Sequence, residues 1–392
     1  MHAPRRPLIV AAPDSFKGSC SAAAAARAML LGARSVFGDD ADYLALPLAD
    51  GGEGTLDAML EAWGQQSRGV RAADALGRPR DARYGMSADG ATAIIEAAEA
   101  NGLPWIADRP LQPLDADTAG VGTIALAALD GGGRELLLCI GGSATSDGGV
   151  GLLTALGARF LDERGQQVRP GARGLADIRS VDAAGLDRRA IAAGWRIAVD
   201  VDNPLCGPRG AAAVFGPQKG AGPDDIAAID AGLAHLARVL AATTGAELED
   251  YLDRPGLGAA GGMALAAVAL LGAETVAGSD LVAEAIGVRA AMRGASLVLT
   301  GEGRFDSQSL GGKVVDLVRR EVPHGTPIVV IAGSVRLTAA ETRAAGVTAA
   351  FSIADGPATL DELVSRAEEC VAETAAHACA LIAAALPGRE RA

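Results

Sequence analysis

Gly141-Gly142-Ser143-Ala144-Thr145-Ser146-Asp147-Gly148-Gly149 is a polar, glycine-dense stretch set between an apolar run and a helical pattern. Residues 136–140 before it are apolar and bounded by turn residues, as a buried strand is, and Val150, Leu153 and Leu156 after it recur at helical spacing. The order is therefore strand, loop, helix. At such a junction free backbone N–H groups and the positive end of a helix can receive an anion, and glycines let a phosphate approach the main chain. Ser143, Thr145 and Ser146 add hydroxyl donors, while Asp147 can orient a metal or a donor. A tight turn capped by Ser146 or Asp147 would give the same pattern, so the loop needs support from elsewhere in the chain.

Two further segments repeat the design. Ala49-Asp50-Gly51-Gly52-Glu53-Gly54-Thr55 follows a strand-like run at 43–48 and precedes a helical one, and Gly301-Glu302-Gly303-Arg304-Phe305-Asp306-Ser307-Gln308-Ser309 follows 296–300. Each is expected to place carboxylates and glycines just past the C-terminal end of an apolar strand, where open α/β sheets bind their ligands.

At 392 residues the chain is long enough for two domains. Six Phe, three Trp and three Tyr leave the core to aliphatic side chains, and abundant Ala and Gly allow close helix contacts. A net charge of −13 excludes nucleic acid and an anionic membrane surface as partners, because both need a basic face. Lys17, Lys219, Arg304 and Lys313 stand out as cations inside glycine-rich segments, although any one taken singly reads as a solvated surface charge. Cys20, Cys139, Cys206, Cys370 and Cys379 are odd in number and contain no Cys-x-x-Cys pair, which suggests neither a disulfide framework nor a zinc site. His2, His235, His324 and His377 show no metal-ligand spacing, and His2 falls in the N-terminal tail. The apolar segment 8–12 is too short for a signal peptide and no run reads as a membrane span, so a cytoplasmic location is expected. The sequence sets no oligomeric state.

Along the chain the pattern begins strand (8–12), helix (22–37), strand (43–48), helix (56–63). Between 67 and 95 it changes to extended segments around the turns Leu76-Gly77-Arg78-Pro79 and Ala88-Asp89-Gly90, which read as antiparallel hairpins opening a different sheet. Alternation resumes with a helix at 122–129 and a strand at 195–201, then helices at 226–240 and 263–271. Strands at 296–300, 328–331 and 350–353 and an alanine-rich helix at 360–386 follow. The expectation is an α/β fold of two α/β domains, one discontinuous (1–75 plus 290–392) and the other inserted into it (76–289).

The three loops occur together with Ala12-Pro13-Asp14-Ser15-Phe16-Lys17, Asp200-Val201-Asp202-Asn203-Pro204-Leu205, Phe215-Gly216-Pro217-Gln218-Lys219-Gly220-Ala221 and Gly258-Ala259-Ala260-Gly261-Gly262. In this order, over nearly the whole chain, they resemble the type I glycerate kinases, a bacterial-type family that phosphorylates glycerate with ATP. The chain departs from the family pattern at Gly18, where an acidic residue is usual. A second departure is Gly120-Val121-Gly122-Thr123, which lacks the hydroxyl and carboxylate of the usual Gly-Thr-Gly-Glu. The resemblance implies a Rossmann-like domain among the two, ATP and magnesium as cofactors, glycerate as substrate, and phosphorylation at its 2-hydroxyl.

Phosphoryl transfer requires positioning, charge neutralisation and a group to take the acceptor's proton. Asp200, at the end of the 195–201 strand, is expected to be that base or to orient the hydroxyl, with Asp202 and Asn203 in positioning or metal-side roles. Lys219, in a loop without helical periodicity, is expected to neutralise phosphate. Asp14, Ser15 and Lys17, Asp50, Gly51 and Gly52, Gly141, Gly142, Ser143, Thr145 and Asp147, and Gln308 are candidate substrate or phosphate contacts. Arg304 suits a substrate carboxylate because a guanidinium grips it in two places. Asp50, Glu53, Glu302 and Asp306 are four unranked candidates for holding magnesium through water. Gly256-Leu257-Gly258-Ala259-Ala260-Gly261 fits G-x-G-x-x-G and Asp280 lies near the spacing of a ribose-binding acid, which keeps a nicotinamide-dependent hydroxyacid oxidoreductase as the alternative. The polar, proline-ended stretch 247–255 before it is no strand and argues against that alternative. A catalytically silent sugar-acid or nucleotide sensor is a third reading, against which the intact run of loop carboxylates speaks.

Overall fold

The computed structural model describes residues 6–354 and 356–385, so His2 and the expected end of the last helix at Leu386 lie outside the described residues. The protein is mixed α/β, and it divides into two compact units. Unit 1 comprises residues 1–50, 57–62 and 282–392, and unit 2 residues 51–56 and 63–281.

Unit 1 is built on a wholly parallel five-stranded sheet in the order Ala349–Ser352, Ile328–Val335, Ala295–Phe305, Leu8–Ala11, Asp42–Ala45. The chain leaves Leu8–Ala11 toward one edge, and its later strands extend toward the other. The boundary between Leu8–Ala11 and Ala295–Phe305 is thus a topological switch point. On one face, Ala22–Phe37 starts at Ser21, whose Oγ accepts from Ala24 N at 3.2 Å, and ends at Gly38 with φ 55°. It packs on Ala367–Ala385 so closely that a Cβ on Gly32 would collide with the carbonyl of Ala372, which is why small residues dominate both helices.

Unit 2 carries a six-stranded sheet in the order Glu274–Val276, Gly194–Ala198, Glu135–Cys139, Thr92–Glu96, Pro79–Met86, Arg68–Ala73, whose last three strands run antiparallel. Arg68–Ala73 pairs with Pro79–Met86 across the turn at 74–78, so this hairpin belongs wholly to the second sheet, whereas the sequence reading divides the chain inside it. The core of this unit gathers Val121, Ile124, Leu136, Leu138, Leu152, Trp195 and Ile197 with Leu233 and Leu236 of Pro223–Thr244.

Pro223–Thr244 corrects one expectation. At 22 residues it is long and apolar enough, by length and composition, to cross a membrane, yet Ile229, Leu233, Leu236 and Leu240 are fully buried within the core of this unit. A second correction concerns 301–305, expected as loop. Ala295–Phe305 is one 11-residue strand, paired through Gly301 to Ile331 and Phe305 to Val335. Gly301 permits the pairing, since a Cβ there would occupy the position of the Ile331 carbonyl. The five cysteines are free thiols, as the sequence suggests.

Candidate active site

In unit 2 the loop 140–149 leaves the strand Glu135–Cys139 and is held from three sides. The segment after Thr92–Glu96 forms the first: Leu103 N donates to Gly142 O at 3.1 Å, Ala144 N to Asn101 O at 2.8 Å, and Asn101 Nδ2 to Thr145 Oγ1 at 3.1 Å. Asp147 forms the second. It is 1% exposed, and its carboxylate accepts from Thr118 N at 2.9 Å, Thr118 Oγ1 at 2.8 Å, Gly151 N at 3.0 Å and Gly149 N at 3.2 Å. Burial holds its carboxyl above the usual range while these four donors oppose the shift. A side chain so engaged is a pin for the loop, and the expected role in orienting a metal does not fit it. Lys219 forms the third, with Nζ 2.5 Å from Thr145 O and 3.4 Å from Ser143 Oγ.

Lys219 is the largest departure from the sequence reading. It ends a short 3-10 turn, Pro217–Lys219, and is 2% exposed, not a flexible surface group. Desolvation lowers its amine to about 7, against the pull of the Asp147 charge. The helix after the loop, Val150–Ala155, has only six residues, so its dipole is slight. What the loop offers instead is backbone: the N–H groups of Ser143, Thr145 and Ser146 have no hydrogen-bond partner among the described residues. Ser146 Oγ and Asn101 Oδ1 are buried and equally unpartnered. Unpaired buried polar groups are costly, and a string of unpaired main-chain donors can form an anion-binding concavity.

The other predicted residues of unit 2 divide. Gly51 approaches so closely that a Cβ would come within 2.8 Å of both the Ala198 side chain and Gly278 Cα, and Gly141 lies against Gly52. Asp200 lies past the end of Gly194–Ala198, a strand shorter than expected, and its Oδ1 caps Gly278–Ile286 by accepting from Gly278 N at 2.7 Å. Asp202 is exposed and pairs with Arg209 at 2.8 Å. Asn203 Nδ2 donates to Arg209 O at 2.8 Å, and its carbonyl accepts from Gly256 and Gly258 N–H, so it organises the next loop. Glu53 is exposed.

No strand enters the G-x-G-x-x-G segment, which is a 3-10 turn at Ala259–Gly261. Its glycines serve packing: a Cβ on Gly258 would strike the Pro204 carbonyl, and one on Gly261 the Thr145 carbonyl. Ala260 between them holds φ 51°, a left-handed conformation costing about 1 kcal/mol in a non-glycine residue. Gly120 and Gly122 likewise sit inside the helix Ala119–Asp130, pressed on Ala73 and Leu152.

Unit 1 presents a separate set at the C-terminal ends of its strands. Asp14 follows Leu8–Ala11 at the switch point; its N–H donates to Gly301 O at 2.8 Å, and its Oδ1 accepts from Ser15 N at 2.6 Å. Burial first, and the Asp50 and Glu302 charges after it, push its carboxyl up to about 7. Glu302 is 8% exposed, its carboxyl is raised chiefly by burial, and its Oε1 has no hydrogen-bond partner among the described residues. Asp306 Oδ2 pairs with the exposed Arg304 at 2.9 Å, and its Oδ1 accepts from Gln308 N at 2.9 Å. Lys17 is exposed and Ser15 half-buried. The structure therefore brings Asp14, Asp50, Glu302 and Asp306 to one sheet end. Asn101 and Thr118, which support the loop 140–149, and Glu96, which accepts from Leu56 N at 2.7 Å across 40 positions, escaped sequence reasoning.

The family model described as "Glycerate kinase family" matches residues 9–383. The chain belongs to the glycerate kinase family. It is 41% identical over 375 residues to the glycerate kinase of Bacillus subtilis, covering 95% of this chain and 97% of that one. It is 39% identical to the glycerate 2-kinase of Escherichia coli, covering 96% and 98%. A crystal structure provisionally named glycerate kinase 2, from Salmonella typhimurium LT2, superposes with a TM-score of 0.86 at 40% identity, covering 97% of this chain and 99% of that one. Family membership makes the protein a kinase, and the α/β fold agrees with this structural neighbour.

Proposed function

We propose that the enzyme transfers a phosphoryl group from ATP to the 2-hydroxyl of glycerate. The observation that carries the reading is the loop 140–149, whose Ser143, Thr145 and Ser146 N–H groups are unpartnered on a backbone fixed by Asn101, Lys219 and Asp147. Fixed main-chain donors stabilise charge that develops on transferring phosphoryl oxygens, at no reorganisation cost. The name of the E. coli relative favours the 2-hydroxyl.

Asp200 is our choice for accepting the hydroxyl's proton. It stands past a strand end, one of its oxygens takes the Gly278 N–H, and it is exposed, whereas every oxygen of Asp147 is engaged within the fold. Arg304 is the candidate clamp for the glycerate carboxylate, because its side chain is exposed and its ion pair with the half-buried Asp306 is exchangeable.

Among the described residues no three His, Cys, Asp or Glu side chains lie close enough to hold a metal by themselves. Magnesium does not require that: it keeps several waters and is bound through one or two carboxylates plus substrate phosphates. The buried Glu302 Oε1, unpartnered and near the Asp50 and Asp306 charges, fits such a donor set. When bound, magnesium would neutralise charge on the phosphates. Asp50, Glu302 and Asp306 would hold it, and the exposed Glu53 is the weakest of the four. Coupled ATP-consumption assays with magnesium across small hydroxy acids test the reading. Glycerate should be the preferred acceptor, and consumption driven only by an unrelated hydroxy acid would refute it.

A further inference from the structure

Lys219 sits in a glycine- and proline-bounded segment, the usual setting of a phosphate-binding lysine, but its placement contradicts that use. A lysine that neutralises a ligand keeps its amino group at the surface of the site. Here the residue is 2% exposed, and Nζ is spent on the chain itself, on Thr145 O at 2.5 Å and Ser143 Oγ at 3.4 Å. The turn that carries it is fixed by Gly220, whose φ of 89° closes Pro217–Lys219 and whose missing Cβ leaves room for Leu111. The charged group facing Nζ is Asp147, with Asp117 beyond it.

We propose that Lys219 is a positioning residue, which sets the direction of the loop's backbone donors by gripping the Thr145 carbonyl, and is not itself a phosphate ligand. The peptide group is planar and trans, so its C=O and the following N–H point to opposite sides. Drawing the Thr145 carbonyl inward to Lys219 therefore turns the Ser146 N–H the other way, and that N–H is one of the unpartnered donors. Asn101 grips the Thr145 hydroxyl at 3.1 Å, so the residue is held at both its main chain and its side chain. The consequence for turnover rests on the proposed phosphate role of the loop; the consequence for loop geometry does not.

The test is hydrogen exchange on the ligand-free protein carrying Lys219→Met, which keeps the apolar stem and removes the donor. The protected amides of Ala144, Gly148, Gly149 and Gly151 should exchange roughly tenfold faster or more, as loss of one buried hydrogen bond implies, while Pro223–Thr244 stays protected. Unchanged loop exchange would overturn the proposal. Because no substrate is present, either result stands whatever the enzyme phosphorylates. Should the variant fail to fold, 15Nζ NMR of the wild-type protein decides. Saturating inorganic phosphate should leave the Lys219 titration midpoint where it is, and an upward move of about one unit or more, as contact with an anion requires, would refute the positioning role.

Discussion

Asp147→Ala removes the acceptor of four buried donors at once, and the structure sets the size of the effect. Three of them, Thr118 N, Thr118 Oγ1 and Gly151 N, converge on Oδ2, and Gly149 N reaches Oδ1. A single buried donor left without a partner costs about 1–3 kcal/mol. Their losses overlap because the loop can relax, but Lys219 also loses the charge that opposes its desolvation. With four buried donors orphaned at once and their losses overlapping, the loss expected for Asp147→Ala is about 3–5 kcal/mol. Asp147→Asn should be milder, about 1–3 kcal/mol, since the amide oxygen can take the crowded Oδ2 position and only Gly149 then faces a donor. Urea unfolding followed by tryptophan fluorescence measures both, because Trp63, Trp105 and Trp195 all lie in unit 2. If both variants match the wild-type stability within about 0.5 kcal/mol, the level of an inconsequential surface change, while activity is lost, Asp147 acts on substrate and the pin is refuted.

Asp200→Asn should lower turnover by roughly a hundredfold to ten-thousandfold with nucleotide affinity nearly unchanged. Single-turnover kinetics beside calorimetric binding checks this, and a melt that shows unfolding would reassign Asp200 to its cap on Gly278–Ile286. The stability difference between wild type and Lys219→Met should shift in favour of wild type as pH rises from 7 to 9. The folded lysine titrates near 7, below its ordinary 10.5, so above pH 7 the unfolded chain binds more protons than the folded one. The slope approaches about 1.4 kcal/mol per pH unit, and a flat difference in urea titrations at several pH values would contradict the burial. NAD and NADP should show no specific calorimetric binding, because Gly256–Gly261 packs against Asn203, Pro204 and Thr145; tight stoichiometric binding would revive the oxidoreductase reading.

The elements most readily legible in the sequence were those with local causes. The strand at Leu8–Ala11, the helix Ala22–Phe37 and the loop after Glu135–Cys139 all follow from short-range periodicity and turn chemistry. Gly301 misled because glycine after an apolar run reads as a turn, whereas here it admits the neighbouring strand's carbonyl, a contact 30 residues away in sequence. The same ambiguity hid Lys219: its flanking Gly216 and Gly220 suggest an open loop, and only the tertiary approach of Thr145 shows a buried amine. Thr118 and Asn101 carried no sequence signal at all, since each becomes meaningful only opposite Asp147 or Thr145. Pro223–Thr244 shows the converse, an apolar helix whose composition is set by a buried core that includes Leu233, Leu236 and Leu240.

The central claim is the transfer of phosphate to one hydroxyl of glycerate, and identification of the product tests it most directly. Purified protein incubated with ATP, magnesium and glycerate should give 2-phosphoglycerate, seen by 31P and 1H NMR as a phosphorus coupled to the C2 proton. Predominant 3-phosphoglycerate, with coupling to the C3 methylene instead, would contradict the assignment of the hydroxyl, and the absence of any phosphoglycerate would contradict the proposed reaction itself.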